Sequence, residues 1–352
     1  MQTTSTPEQA ILQASSASVA YLGDDFQVFR LAGDASNREY FRVLHHNRDS
    51  CVWMLLPESG QESLAQEYEN TSHVPSDLPF LTVAQHLQAK NVRIPEVLVA
   101  DVPHRTLLLE DLGDTMLIDP LAHQPKKYLS KALDLLAQIS APDGPELQQG
   151  LVYQRKFDQD LYNWEFEHFL EYGIMNFMEF DPEEVQTIRQ NLHKLTQEYV
   201  TWASVFCHRD FHSRNILVED AQTLAVIDFQ DALLAPLYYD LASLLKDAYV
   251  EIDRPMQKEL VAYYQSVIDD SYAEKKLPAE EFLYRFDIMS LHRNLKAAGR
   301  FVYFDQVNNN PDYLKYIPQC MKYVVETLQA YPKLSPLRHA LEPYAEKLIV
   351  EV

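Results

Sequence analysis

The chain has 352 residues, 47% hydrophobic and 11% aromatic, enough apolar material for two domains or one large two-lobed unit with a packed core. Fifty-two acidic residues against 30 basic ones give a formal charge of −22, which repels nucleic-acid phosphates, excludes general nucleic-acid binding, and means that an anionic ligand needs a local basic pocket. Cys51, Cys207 and Cys320 are too few and too far apart for a disulfide framework or a thiolate zinc site. The N-terminus lacks a basic segment before an apolar one, and no run reaches 18 apolar residues. A cytoplasmic protein that does not enter a membrane is therefore expected.

Thr6-Pro7 has the form of an N-cap followed by proline at the first helical position, opening a helix to about residue 20. Short β-rich runs follow: FQVFRL (26–31), REYFRVL (38–44) and CVWMLL (51–56). Helical spacing marks 62–70 and 78–90, and EVLVAD (96–101) with TLLLED (106–111) reads as a hairpin around Pro103-His104. Beyond Gly113 the pattern is helical over 126–140, 156–172, 182–202, 238–250, 255–270, 278–304, 312–330 and 336–349. The exception is 207–229, where ILV (216–218) and LAVID (224–228) predict a small hairpin. The expectation is an α+β, bilobal chain, with a β-rich nucleotide-binding lobe over 1–111 and a larger, mostly helical catalytic and substrate lobe over 112–352.

The chemistry concentrates in HRDFHSRNILV (208–218) and VIDFQDA (226–232). Asp210 opens a loop, Asn215 precedes one strand, and Asp228 ends the next, so the hairpin brings the three polar heads to one edge. Phosphoryl transfer needs a carboxylate that accepts the proton of the attacking hydroxyl, and hard oxygen ligands for a Mg²⁺ ion that offsets phosphate charge. Asp210 suits the first role; Asn215 and Asp228 suit the second. His208 fits a bracing role, holding the loop through backbone hydrogen bonds.

HRDFHSRN…VIDFQDALLAPLYYDLASLL resembles the aminoglycoside phosphotransferase and choline kinase group of the protein-kinase-like fold, in order over residues 28 to 250. Within that group, GDASNREYFRV (33–43), LLLEDLG (107–113) and HRNLKAAGRF (292–301) are similar to bacterial kinases that phosphorylate N-acetylmuramate and N-acetylglucosamine at C1 in cell-wall recycling. The resemblance implies an ATP- and Mg²⁺-dependent transferase acting on a small-molecule amino sugar. It implies that Asp240 props up the catalytic loop. It also implies a hinge at Glu110 to Gly113, whose backbone, at Glu110 and Leu112, binds the adenine edge. An aminoglycoside or choline-type acceptor is the alternative.

Two departures from the group stand out. The third strand, CVWMLLP, carries Met54 where a phosphate-pairing lysine is expected, and the phosphate loop Gly33-Asp34-Ala35-Ser36-Asn37-Arg38 is poor in glycine. Either the protein is a nucleotide-binding module that has lost catalysis, or another cation serves. Arg38 lies two residues before Tyr40 and shares its face, with Arg42 further from the loop. A guanidinium at Arg38 would grip phosphate oxygens bidentately. The intact Asp-Asn-Asp set favours an active enzyme.

On the acceptor side, Arg293, Lys296 and Arg300 turn one helical face basic: either a solvated face or a site for an anionic substrate. Asp231 either approaches the sugar or caps its turn. Trp164 either stacks on a sugar ring or lies in the core.

Overall fold

A computed structural model describes residues 11–12, 14–23, 25–31, 38–45, 48–57 and 78–350. The expected helix start at Thr6-Pro7, the phosphate loop Gly33, Asp34, Ala35 and Ser36, and the helix over 62–70 lie outside them. The chain divides into two compact units, the first from Met1–Ser76 with Arg93–Asp114, the second from Asp77–Val92 with Thr115–Val352.

The first unit is built on five antiparallel strands: β1 (Phe26–Arg30), β2 (Glu39–His45), β3 (Arg48–Leu55), β4 (Val97–Asp101) and β5 (Thr106–Glu110), in the order β1-β2-β3-β5-β4. Alternation sends Phe41 and Val43 of β2 and Cys51, Trp53 and Leu55 of β3 into one core cluster with Leu12, Leu22 and Leu108. Phe41 stacks on Trp53 with centroids 4.8 Å apart. Helix α1 (Ser16–Leu22) closes this side; Ser15 caps it by accepting the Ser18 N–H and donates its own hydroxyl to Asp101 at 2.7 Å. Met54 stands between Tyr40 and Leu107 in register and is fully buried, so the third strand offers an apolar side chain where the sequence lacks its lysine.

The second unit holds α2 (Pro79–Ala89), α3 (Pro125–Ser140), α4 (Gln159–His168), α5 (Pro182–Tyr199), then the short strands β6 (Ser204–Cys207), β7 (Ile216–Val218), β8 (Leu224–Val226) and β9 (Leu233–Pro236). It continues with α6 (Tyr238–Leu245), α7 (Arg254–Val267), α8 (Ala279–Asn308), α9 (Ile317–Ala330) and α10 (Ser335–Val350). Aspartates open three of these helices: Asp158, Asp181 and Asp253 each accept a first-turn N–H. Helix α8 forms the spine, burying Leu291, Leu295, Ala298 and Val302. Gly299 lets it meet the π-helical stretch Phe169–Met175 that continues α4, because a Cβ there would lie 2.7 Å from the Phe169 Cα. Among the described residues no helix is long and apolar enough to cross a membrane.

Three features differ from the sequence reading. Helix α2, placed by sequence in the first lobe over 1–111, folds with the second unit: Phe80 stacks on Phe229 at 4.8 Å, and Lys90 binds Asp143 at 2.8 Å. Periodicity reports that a helix has an apolar face, and says nothing of which core receives it. The pairing of β6 with β9 is absent from the sequence pattern, since four-residue apolar runs beside helices carry no period of their own. Helix α6 ends at Leu245, before the expected 250, where Asp247 accepts the Tyr249 N–H at 2.9 Å and turns the chain.

Candidate active site

Strand β6 delivers the chain into the loop 208–215, and α6 holds that loop from behind. The Asp240 carboxylate, buried in the first turn of α6, accepts the backbone N–H groups of His208 (2.6 Å) and Arg209 (3.0 Å). Burial raises its pKa to about 7, with the two N–H groups and the Arg293 charge pulling the other way. Arg209 takes φ +79°, the left-handed region that a non-glycine residue occupies at a cost of about 1–3 kcal/mol. Its backbone is held by Asp240 and its guanidinium by Glu165 at 3.3 Å. His208 is fully buried, meets the Ile227 carbonyl through Nε2 at 2.9 Å, and has its pKa lowered to about 4 by burial. That contact ties the start of the loop to the end of the β7–β8 hairpin. A further clamp, missed in the sequence, is Asp247, which accepts the Ser213 N–H at 2.9 Å.

The far end of the loop joins the β7–β8 hairpin. Asn215 donates its side-chain N–H to the Asp210 carbonyl at 2.9 Å, and its own carbonyl accepts the Ile227 N–H at 3.0 Å. Asp228 follows directly at φ +60°, so Asn215 and Asp228 occupy adjoining ends of one hairpin. With its amide nitrogen engaged, Asn215 has its side-chain oxygen as the atom that could ligate a metal, at the hairpin end that adjoins Asp228. One neutral and one anionic hard oxygen fit Mg²⁺, which binds through one or two protein groups and completes its shell with water and phosphate. Gln230 bridges Asp228 (3.0 Å) and Asp231 (2.9 Å) through its amide nitrogen, so the two carboxylates are tied together.

Helix α8 supplies the cations around Asp210. Arg293 reaches the Tyr239 hydroxyl at 3.0 Å and lies 3.5 Å from Asp210 Oδ1, long for a hydrogen bond but close for an ion pair. Lys296 lies 3.2 Å from Glu165 and 3.3 Å from the Tyr239 hydroxyl. Burial pushes the Asp210 pKa up, but Lys296, Arg293 and Arg209 outweigh it and hold the group well below the usual carboxylate range. The two cations thus face inward onto acids, which the alternative of a solvated helix face did not foresee. Arg300, two turns on from Arg293, lies over the Tyr303 and Phe304 rings.

Glu165 organises this side and was overlooked in the sequence. It is wholly buried and receives Arg209, Lys296 and His292, the last at 2.7 Å. Desolvation raises its pKa, and the neighbouring cations with the His292 hydrogen bond drive it well below the ordinary range. A signal was present: Glu165 falls on the apolar stripe of Leu161, Tyr162 and Phe166, where a carboxylate is tolerated only with partners. Trp164, its neighbour, is neither core nor bare platform: it is 38% exposed and stacks on the His168 ring.

In the first unit, Glu110 at the end of β5 binds Arg93 through both oxygens at 2.6 and 2.7 Å, and its N–H donates to the Glu96 carbonyl. Arg42 is clamped by Asp111 (2.7 Å) and Asp114 (2.8 Å), and Ser50 donates to Asp111 as well. Leu112 and Arg38 are half-buried.

A model described as the phosphotransferase enzyme family matches residues 28–276. The N-acetylmuramate/N-acetylglucosamine kinase of Neisseria meningitidis serogroup B is 29% identical over 319 residues, covering 89% of each chain. The protein of the same name from Pseudomonas aeruginosa is 28% identical, covering 88% of this chain and 86% of its own. Among solved structures, a choline/ethanolamine kinase family protein from Mesorhizobium loti superposes with a TM-score of 0.60 at 14% identity, over 95% of this chain and 97% of its own. The ADP-bound aminoglycoside phosphotransferase APH(2'')-Ib gives 0.59 at 13%, over 90% and 98%. These structures share the protein-kinase-like fold.

Proposed function

The chain belongs to the phosphotransferase enzyme family, and we propose that it transfers the γ-phosphate of ATP to the C1 hydroxyl of N-acetylmuramate or N-acetylglucosamine. The observation that carries this reading is the loop-and-hairpin constellation of Asp210, Asn215 and Asp228, braced by Asp240 and His208. The acceptor follows the names of relatives similar over most of the chain. Asp210 accepts the proton of the acceptor hydroxyl as its oxygen bonds to the γ-phosphorus and the bond to the bridging oxygen breaks, releasing ADP. Asn215 and Asp228 would hold Mg²⁺, which when bound offsets the phosphate charge. A carboxylate kept weakly basic by Arg293 and Lys296 suits an acidic acceptor. The anomeric hydroxyl, on a hemiacetal carbon, is more acidic than an ordinary alcohol.

Asp228→Ala is expected to weaken Mg²⁺-dependent nucleotide binding by about tenfold or more while leaving the fold intact, as read by calorimetric titration with and without Mg²⁺. Unchanged Mg²⁺-dependent affinity would remove Asp228 from the metal role.

Nucleotide contacts in the first unit are assigned to Gly33, Asp34, Ala35, Ser36 and Arg38 on the phosphates and to the backbone of Glu110 and Leu112 on the base. Arg42 is committed to two aspartates, so Arg38 is the cation assigned to the role of the absent third-strand lysine. Arg38→Ala should raise the KM for ATP several-fold and lower kcat. Negligible change in both would move the phosphate role to another group.

The acceptor reading is tested by ATP-dependent turnover with amino sugars, choline and aminoglycosides in parallel. Turnover with the two N-acetylated sugars is expected, and turnover solely with choline or an aminoglycoside overturns it. The cations Arg293, Lys296 and Arg300 and the carboxylate Asp231 line the acceptor side in this reading.

A further inference from the structure

Six cations of the second unit face acids: Arg209 and Lys296 meet Glu165, Arg254 and Lys246 meet Asp287, Lys90 meets Asp143, and Arg293 approaches Asp210. Arg214 differs. Among the described residues this half-buried guanidinium pairs with no carboxylate, in a chain with a formal charge of −22. It lies 3.9 Å over the Tyr249 ring and 5.0 Å from the Tyr316 ring, and Nη2 donates to the Tyr316 hydroxyl. Tyr249 and Tyr316 meet edge to face at 4.8 Å, and Tyr249 also contacts the His212 ring edge at 5.3 Å. The cation is therefore oriented by aromatic faces, with most of its five N–H groups left for another acceptor.

Its position adds meaning. Arg214 lies on the loop that carries Asp210, directly before Asn215, so its backbone adjoins the residues assigned to the reaction. Arg293, 3.5 Å from Asp210, and Lys296 already bind Tyr239 and Glu165. The aromatic wall extends along α8, where Phe301 stacks on Tyr313 at 5.6 Å and packs near Tyr249 at 6.3 Å. Ring faces with a planar cation suit an acceptor that combines a sugar ring with an oxyanion.

We infer that Arg214 is a specificity-determining residue that binds the carboxylate of an acid-bearing sugar acceptor, held ready by Tyr249 and Tyr316. This rests on the amino-sugar reading above, in which N-acetylmuramate carries a lactyl carboxylate and N-acetylglucosamine does not. The guanidinium binds the acid through two parallel N–H groups, and the neutral sugar lacks that contact.

The test compares kcat/KM of wild type and Arg214→Gln for the two sugars at saturating ATP, together with KM for ATP. Arg214→Gln is expected to lower kcat/KM for N-acetylmuramate by about tenfold or more and for N-acetylglucosamine by no more than about twofold. Equal losses with both sugars, or a raised KM for ATP with both, would assign Arg214 to packing or to the nucleotide and overturn the inference. No loss with either overturns it too. Should Arg214→Gln fail to fold, Tyr316→Phe, which removes only the hydroxyl, is expected to narrow the same ratio several-fold, and an unchanged ratio sinks the inference. Wild-type protein inactive on both sugars would instead reject the acceptor reading, and this assignment with it.

Discussion

Asp210→Asn is expected to lower turnover by roughly 100-fold or more while Mg²⁺-ATP affinity stays within about threefold of wild type. The amide keeps the size of the carboxylate and cannot take the proton of the attacking hydroxyl. The loop should persist, because its bracing bonds run through the backbone N–H groups of His208 and Arg209 to Asp240 and through the Asp210 carbonyl to Asn215. None of these uses the Asp210 side chain. Single-turnover kinetics with calorimetric nucleotide binding separates the two effects. Near-wild-type turnover would remove Asp210 from the role of base, and a matching loss of nucleotide affinity would make it a binding group.

The second large effect falls on stability. Glu165 is the anion shared by Arg209 and Lys296 inside the second unit. Glu165→Gln leaves the buried Arg209 and the half-buried Lys296 without it, which should cost about 3–5 kcal/mol, a large share of the 5–15 kcal/mol typical of a folded domain. Removing one cation as well, in Glu165→Gln with Lys296→Met, should recover part of that loss because fewer charges remain uncompensated. Urea denaturation of the single and double variants measures both numbers. A single-variant loss below about 1 kcal/mol, or a double variant no better than the single, would show that Glu165 acts without charge pairing.

Much of the site was legible because its chemistry is local in sequence. Asp210, Asn215 and Asp228 span one loop and one hairpin, and short-range hydrogen bonds assemble them, so spacing alone carried their arrangement. Asp240 lies one strand and one turn further and bonds back to the same loop. The surrounding groups were harder to read. Glu165 meets Arg209 from 44 residues away and His292 from 127, and no sequence period links positions on separate helices. The same limit applies to the basic face of α8: spacing found Arg293, Lys296 and Arg300, but their partners, Tyr239, Glu165 and the Tyr303 and Phe304 rings, appear only in three dimensions. The fold followed a similar rule. Strands with clean alternation were found within a few residues, whereas the short β6–β9 pair and the allegiance of α2 depended on which apolar surfaces meet.

The claim that unites the catalytic geometry with the acceptor is phosphorylation at the anomeric carbon. Phosphorus and proton NMR of the product formed from ATP and N-acetylglucosamine tests it directly, because phosphorus couples to the proton on the carbon that carries the phosphate. A sugar 1-phosphate of α configuration is expected, with the anomeric proton coupled to phosphorus and no free reducing end. Phosphorus coupled instead to the protons on C6, with the reducing end intact, would contradict it.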